Sequence, residues 1–156
     1  MLIPTAVHLL NLMLAGIWLG CLVFTTFVVS PAFRRMPWSD VERVQVRSAL
    51  GRQFMLIANP ILLLLLGSLV GEALLRSSRL LLVKLTLLLP VILLAAIHGL
   101  LFGPRLEALA VAEGGTEAGP ALSLASRRGG LQRASAVLSG VNLVLSAALL
   151  LVAVSA

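Results

Sequence analysis

The sequence has few charged residues: Asp, Glu, Lys and Arg make up 12% of its 156 residues, whereas 60% are hydrophobic. An average soluble domain has ~25% charged residues. The composition therefore excludes an ordinary water-soluble globule and indicates a membrane protein. A spanning helix needs ~20 residues, so the length allows four spans and leaves too little chain for an additional soluble catalytic domain.

Cysteine is almost absent, since Cys21 is the single one, and this excludes both a disulfide framework and a paired-thiol metal motif. The chain also lacks the HExxH, GxSxG, Walker and CxxC motifs, and no two acids are paired within an apolar stretch. No Lys/Arg cluster alternates with aromatic residues, which argues against binding of nucleic acid. A binding, transport or scaffolding protein is therefore favoured over an enzyme.

Four apolar stretches are long enough to cross a membrane as helices. They predict an all-α integral membrane four-helix bundle, a single transmembrane domain over residues 1–156. The first stretch lacks a basic start and is too long for a signal peptide, so we expect it to be a retained span. The stretches cover about residues 5–29, 54–75, 80–102 and 134–154.

The connections between the stretches differ in character. In the first, Ser39 and Glu42 have capping-box spacing, which predicts a short amphipathic helix that ends near Arg52 and lies on the membrane interface. The second, the sequence RSS, is expected to be a tight hairpin. The third begins with the helix-like PRLEALAVAE and continues as a Gly/Ser-rich segment that we expect to be mobile.

Positive charge is distributed unevenly over these connections. Nine of the twelve Lys and Arg residues lie in the first and third connections. The positive-inside rule therefore predicts that these two connections are cytoplasmic and that both termini lie outside. We expect a multi-pass protein of a bacterial inner membrane.

Polar residues within spans are costly, and they sort here into two layers by depth. The outer polar cluster comprises His8, Asn11, Glu72 and Lys84. Its Glu72 and Lys84 either form an ion pair or extend separately to the lipid headgroups.

The inner layer supplies the predicted ligand-binding residues, which are His98, Asn59, Asn142, Thr26 and Arg105. This layer either joins the helices by interhelical hydrogen bonds or lines a positively framed cavity. Such a cavity would suit an anionic headgroup, an anion or a coordinated metal.

Two membrane histidines suggest a haem or copper cofactor, but the topology places His8 and His98 near opposite faces of the membrane. A weak metal site remains at His8, with Met1 or Met13 as a second ligand. Separately, Gly16 with Gly20 and Gly67 with Gly71 form GxxxG patterns. These favour either close packing within the bundle or a homo-oligomer.

The chain resembles the four-helix membrane family typified by transmembrane protein 205, a domain of unknown function. The resemblance rests on HLL at residues 8–10, the Trp18 region, FVVSPAFRRMP, PRLEAL and RASAVLSGVNL. It implies a four-helix bundle and, for the animal protein, an association with platinum-drug resistance and secretory traffic. A looser similarity, carried by His8 and by KLTLLLPVILLAAIHG, runs to copper-resistance D-like and HemJ-like protoporphyrinogen oxidase membrane families and implies copper or haem.

Three functions remain open from the sequence. The first is a non-enzymatic membrane protein that binds or translocates a small solute, soft metal ion or lipid through its polar layers. The second is a scaffold or assembly protein that acts through helix contacts and Arg-rich connections with partners or anionic lipid. The third is a haem- or copper-dependent membrane oxidoreductase.

Overall fold

The computed structural model describes residues 2–75, 79–114 and 118–155, and these residues are almost wholly helical. No strand occurs among them. The α-helices are α1 (Leu2–Phe24), α2 (Ser30–Arg35), α3 (Asp40–Leu75), α4 (Arg79–Ile97), α5 (Gly103–Gly114) and α6 (Ala118–Val154). Two π-helical segments, Thr25–Val29 and His98–Phe102, join α1 to α2 and α4 to α5.

Four helical stretches in the described parts of the chain are long and apolar enough to span a membrane: Pro4–Phe33, Gln45–Leu75, Arg79–Leu109 and Ser126–Val154. Around the bundle, α1 packs between α3 and α6, and α4 packs against α6 and α3. Helix α5 packs on α3 and α6. This arrangement confirms the predicted all-α four-helix membrane bundle. We call the end that holds the first and third connections the arginine-rich end, and the other end the terminal end.

Each long helix turns one stripe of residues inward, at the three- and four-residue spacing of a helix face. Most of these residues are small or branched apolar side chains, and a few are polar. The stripes are Asn11, Ala15 and Trp18 on α1; Ala58, Leu62, Leu65 and Leu69 on α3; Leu81, Lys84, Leu88 and Val91 on α4; and Asn142, Ser146, Leu149 and Ala153 on α6.

The outward faces carry the large apolar side chains that a soluble protein would bury. Leu74 is 84% exposed, and Leu56 and Leu100 are each 70% exposed. Apolar surface on this scale, covering all four spans, suits a hydrocarbon solvent rather than water. The described chain is therefore an integral, multi-pass membrane protein.

The two π segments lie at matching positions relative to a proline. Each is followed, two residues after its end, by a proline: Pro31 after Thr25–Val29 and Pro104 after His98–Phe102. A proline ring inside a helix clashes with the carbonyl four residues earlier, and that carbonyl lies within the π segment in both cases. The wider turn removes the clash, and in the first segment Thr25 Oγ1 donates to the carbonyls of Cys21 and Leu22, at 2.9 and 3.1 Å.

The prediction of a separate short interfacial helix in the first connection is wrong. The capping box does mark the start of a helix at Asp40, but this helix does not end near Arg52 and continues without a break to Leu75. Gly51 is the only helix-weakening residue near the predicted end. A single glycine costs only about 1 kcal/mol relative to alanine, which is too little to end a helix that packs along its length.

The third connection is also more helical than predicted. Helix α6 begins at Ala118 and runs through Gly129 and Gly130, so most of the segment expected to be mobile is helix. Helix α6 packs against α5, which supplies contacts that the sequence pattern alone does not reveal. The hairpin predicted at residues 76–78 lies outside the described residues.

Candidate functional site

An ion pair lies inside the bundle at its terminal end. Lys84 Nζ is 3.3 Å from both Oε1 and Oε2 of Glu72, so the ammonium group donates to both carboxylate oxygens. The Lys84 side chain is 1% exposed and that of Glu72 is 15% exposed. Lys84 therefore does not extend to the headgroups. The two charges come from the end of α3 and the start of α4, which are adjacent because the second connection is short.

His8 of α1 approaches the same carboxylate. Its Nδ1 lies 3.7 Å from Glu72 Oε1, and the histidine is partly exposed at the terminal end. Three helices thus contribute one titratable group each to a single cluster.

Asn11 continues this polar surface one helical turn deeper, on the same face of α1 as His8. It is 1% exposed, and neither its Nδ2 nor its Oδ1 has a hydrogen-bond partner among the described residues. A buried polar group without a partner costs about 1–3 kcal/mol. Asn11 therefore offers an unused donor and an unused acceptor on the face of α1 that carries His8.

A second buried polar contact lies deeper in the bundle. Trp18 Nε1 donates to Ser146 Oγ at 3.0 Å, and both side chains are almost completely buried. Sequence reasoning did not single out either residue as part of a site. The spacing of polar residues could have indicated Ser146, because it follows Asn142 by four residues and so lies on the same face of α6.

The predicted inner layer does not assemble into one site. Asn142 is buried and its Oδ1 has no partner among the described residues, whereas Asn59 is exposed on the outside of α3. Thr26 is only half-buried, within the first π segment. His98 is exposed, with its Nδ1 3.5 Å from Ser135 Oγ and its ring stacked on Phe102. Arg105 lies apart from these residues, in an open groove between α5 and α6.

The two histidines are far apart. His8 contacts Glu72, the partner of Lys84, at the terminal end, and His98 lies fourteen residues beyond Lys84 on the same helical span, ~21 Å along the axis. Among the described residues, no three His, Cys, Asp or Glu side chains come together in a group that could hold a metal ion. The possible second ligand Met13 is 64% exposed on the bundle surface, and Met1 lies outside the described residues.

No curated protein and no solved structure matches this chain. A family model described as a domain of unknown function, DUF4149, matches residues 13–114, about two thirds of the chain. The match includes Glu72, Lys84 and both π segments, and on its extent the chain belongs to the DUF4149 family.

Proposed function

We propose that this chain is a non-enzymatic membrane protein that binds a small polar solute inside its helix bundle. The proposed site is the cluster of His8, Asn11, Glu72 and Lys84. One observation carries the proposal: at the end of the bundle that holds an ion pair with a buried lysine, Asn11 is buried with its donor and its acceptor both unused. Intramembrane ionisable residues are expensive to retain, which makes them default indicators of a functional site.

The chemistry of the cluster favours a polar solute over a soft metal ion. Lys84 already neutralises Glu72, and its ammonium group would repel a cation at that carboxylate. The unused groups are the amide of Asn11, which can donate and accept at the same time. A solute with both a donor and an acceptor, such as an amide or a carboxylic acid, matches that pattern.

The surroundings of the cluster favour binding over open conduction. His8 is partly exposed at the terminal end and provides the side from which a solute enters. Below Asn11, the inward face of α1 is filled by Leu14, Ala15 and Trp18, which are 7%, 1% and 2% exposed. The face of α1 that leads from Asn11 toward the arginine-rich end is therefore packed with side chains.

A thermal-stability screen in nanodiscs tests this proposal. The probes are small carboxylates (acetate, benzoate), amides (acetamide, nicotinamide) and amines (ethylamine, benzylamine). We expect the amides to raise the melting temperature of the wild type, because at neutral pH they carry both a donor and an acceptor whereas the carboxylates carry only acceptors. A ligand at 100 times its Kd stabilises the folded state by about 2.7 kcal/mol.

Asn11→Leu and Asn59→Leu form a matched pair for this screen, because the two asparagines differ chiefly in burial. The stabilisation should be lost in Asn11→Leu and retained in Asn59→Leu. If no probe class stabilises the protein, or if both variants lose the effect equally, the proposed site is wrong.

A scaffold that acts as a homo-oligomer is the second candidate function, and one observation favours it. A Cβ atom built at Gly16, Gly20, Gly67 or Gly71 meets no atom within 4 Å. These glycines are therefore not used for close packing inside the bundle, and their faces are open to another copy of the chain.

We infer that the arginine-rich end faces the cytoplasm of a bacterial cell, on the positive-inside rule. Alkaline phosphatase fused to the C-terminus should then be active, whereas an active cytoplasmic reporter at that terminus would reverse the orientation. The finer resemblances, to the transmembrane protein 205-like, copper-resistance D-like and HemJ-like families, stay predictions, as do copper and haem.

A further inference from the structure

An open groove of about 550 Å³ lies between α5 and α6 at the arginine-rich end. Its walls repeat one pattern, an arginine followed three and four residues later by small or apolar residues. Such spacing places each set on a single helix face. The walls are Arg105, Ala108 and Leu109 on α5, and Arg127, Gly130 and Leu131 on α6.

The two arginines place unneutralised positive charge at this groove. Both are exposed, and neither has an acidic partner among the described residues. The nearest acid on α5, Glu107, is engaged on the side of α3, where it accepts from Ser48 Oγ at 2.5 Å and lies 3.5 Å from Arg52. Residues two apart on a helix do not face each other, so Glu107 does not neutralise Arg105.

The groove lies at the depth at which lipid headgroups meet acyl chains. The third span ends at Leu109 and the fourth begins at Ser126, so the arginines lie within the last and first turns of the spans. Arg105 of α5 and Arg127 of α6 lie on opposite walls of the groove. Between them the lining is almost entirely apolar.

We propose that this groove binds one anionic phospholipid, with the phosphate held by Arg105 and Arg127 and an acyl chain lying on Leu109 and Leu131. A guanidinium group binds phosphate oxygens through two parallel hydrogen bonds. The apolar lining decides in favour of a lipid, because free phosphate would leave that surface without a partner. This site is separate from the polar cluster at the terminal end and does not depend on the function proposed there.

Native mass spectrometry of the full chain, released from detergent micelles, tests the proposal. The probe is phosphatidylglycerol, with zwitterionic phosphatidylcholine and inorganic phosphate as comparisons. The wild type should retain phosphatidylglycerol in preference to phosphatidylcholine. One basic residue near a membrane surface strengthens the binding of anionic lipid about fivefold. We therefore expect about fivefold weaker binding for Arg105→Gln or Arg127→Gln, and about 25-fold weaker binding for the double variant.

Arg79→Gln is the matched control, because Arg79 is an exposed arginine at the start of the third span, at the terminal end. It should bind phosphatidylglycerol as the wild type does. The variant with both Arg105→Lys and Arg127→Lys keeps the charge, so it should bind more tightly than the double glutamine variant and shows whether folding is preserved. The proposal is overturned by equal retention of the two lipids, by an equal loss in Arg79→Gln, or by phosphate competing fully with the lipid.

Discussion

At the scale of single residues, the most consequential side chain is Lys84, a cation with 1% of its surface exposed. A buried ion pair contributes little net stability, because desolvation of the two charges offsets their attraction. Removal of one partner is different, since it leaves the other charge buried and uncompensated. The pair is therefore more informative as a sign of function than as a source of stability.

We predict that Glu72→Gln destabilises the folded bundle by roughly 3 kcal/mol, because the Lys84 ammonium group loses its counterion. The measurement is the free energy of unfolding in mixed micelles. The double variant Glu72→Gln/Lys84→Met removes both charges and should recover most of the loss. Equal destabilisation by the single and double variants would show that the two charges are not coupled.

The sequence predicted the outer polar cluster better than it predicted the inner layer. Counting residues along antiparallel spans was sufficient to bring His8, Glu72 and Lys84 to one depth, and the structure places them in contact. The same counting placed Asn59 and Asn142 in one layer, yet one is exposed and the other buried. The depth of a residue along the helix axis does not tell whether its side chain points into the bundle or away from it. That direction depends on which helices are neighbours.

At the scale of elements, the start of α3 follows from local chemistry. Ser39 Oγ donates to Glu42 Oε2 at 2.8 Å and accepts from the Glu42 backbone N–H at 3.3 Å, while the Ser39 N–H donates to the same carboxylate. These reciprocal hydrogen bonds form the capping box that the sequence predicted. The end of the helix could not be predicted in this way, because no residue near Arg52 forces one.

The hydrogen bonds from Ser39, first through its side chain and then through its backbone, lower the pKa of Glu42 from its ordinary 4.5. The stabilisation of the first turn of α3 is therefore complete above pH 4.5 and is lost as the pH falls through the lowered pKa. We predict that Ser39→Ala raises the pKa of Glu42 back toward its ordinary value. Titration of the Glu42 carboxyl carbon by NMR measures this, and an unchanged pKa would show that the hydrogen bonds do not form in solution.

At the scale of the whole molecule, composition and hydrophobic runs were sufficient to predict a four-helix membrane bundle. They could not predict the groove between α5 and α6, because that groove requires two helical faces from separate parts of the chain to pack together. Arg127 entered the sequence analysis only as one positive charge among nine. Its position opposite Arg105 depends on the packing of α6 against α5.

The open glycine faces give a prediction at this scale. Gly16→Leu and Gly67→Leu should leave the melting temperature of the monomer nearly unchanged, because an added Cβ meets nothing in the bundle. If these faces join copies of the chain, the substitutions should lower the oligomeric state seen by native mass spectrometry. A monomer in the wild type and in both variants would remove the support for the scaffold function.

The length of each π segment also sets the direction, around the helix axis, in which the following helix presents its side chains. One residue turns a helix by about 100°, so the length of His98–Phe102 fixes the direction in which α5 presents its side chains. Deletion of Leu101, which is 45% exposed, would rotate Arg105 out of the groove and Glu107 away from Ser48 in a single step. Substitution of the same leucine would change neither direction, so this position tolerates a change of residue type but not a change in chain length.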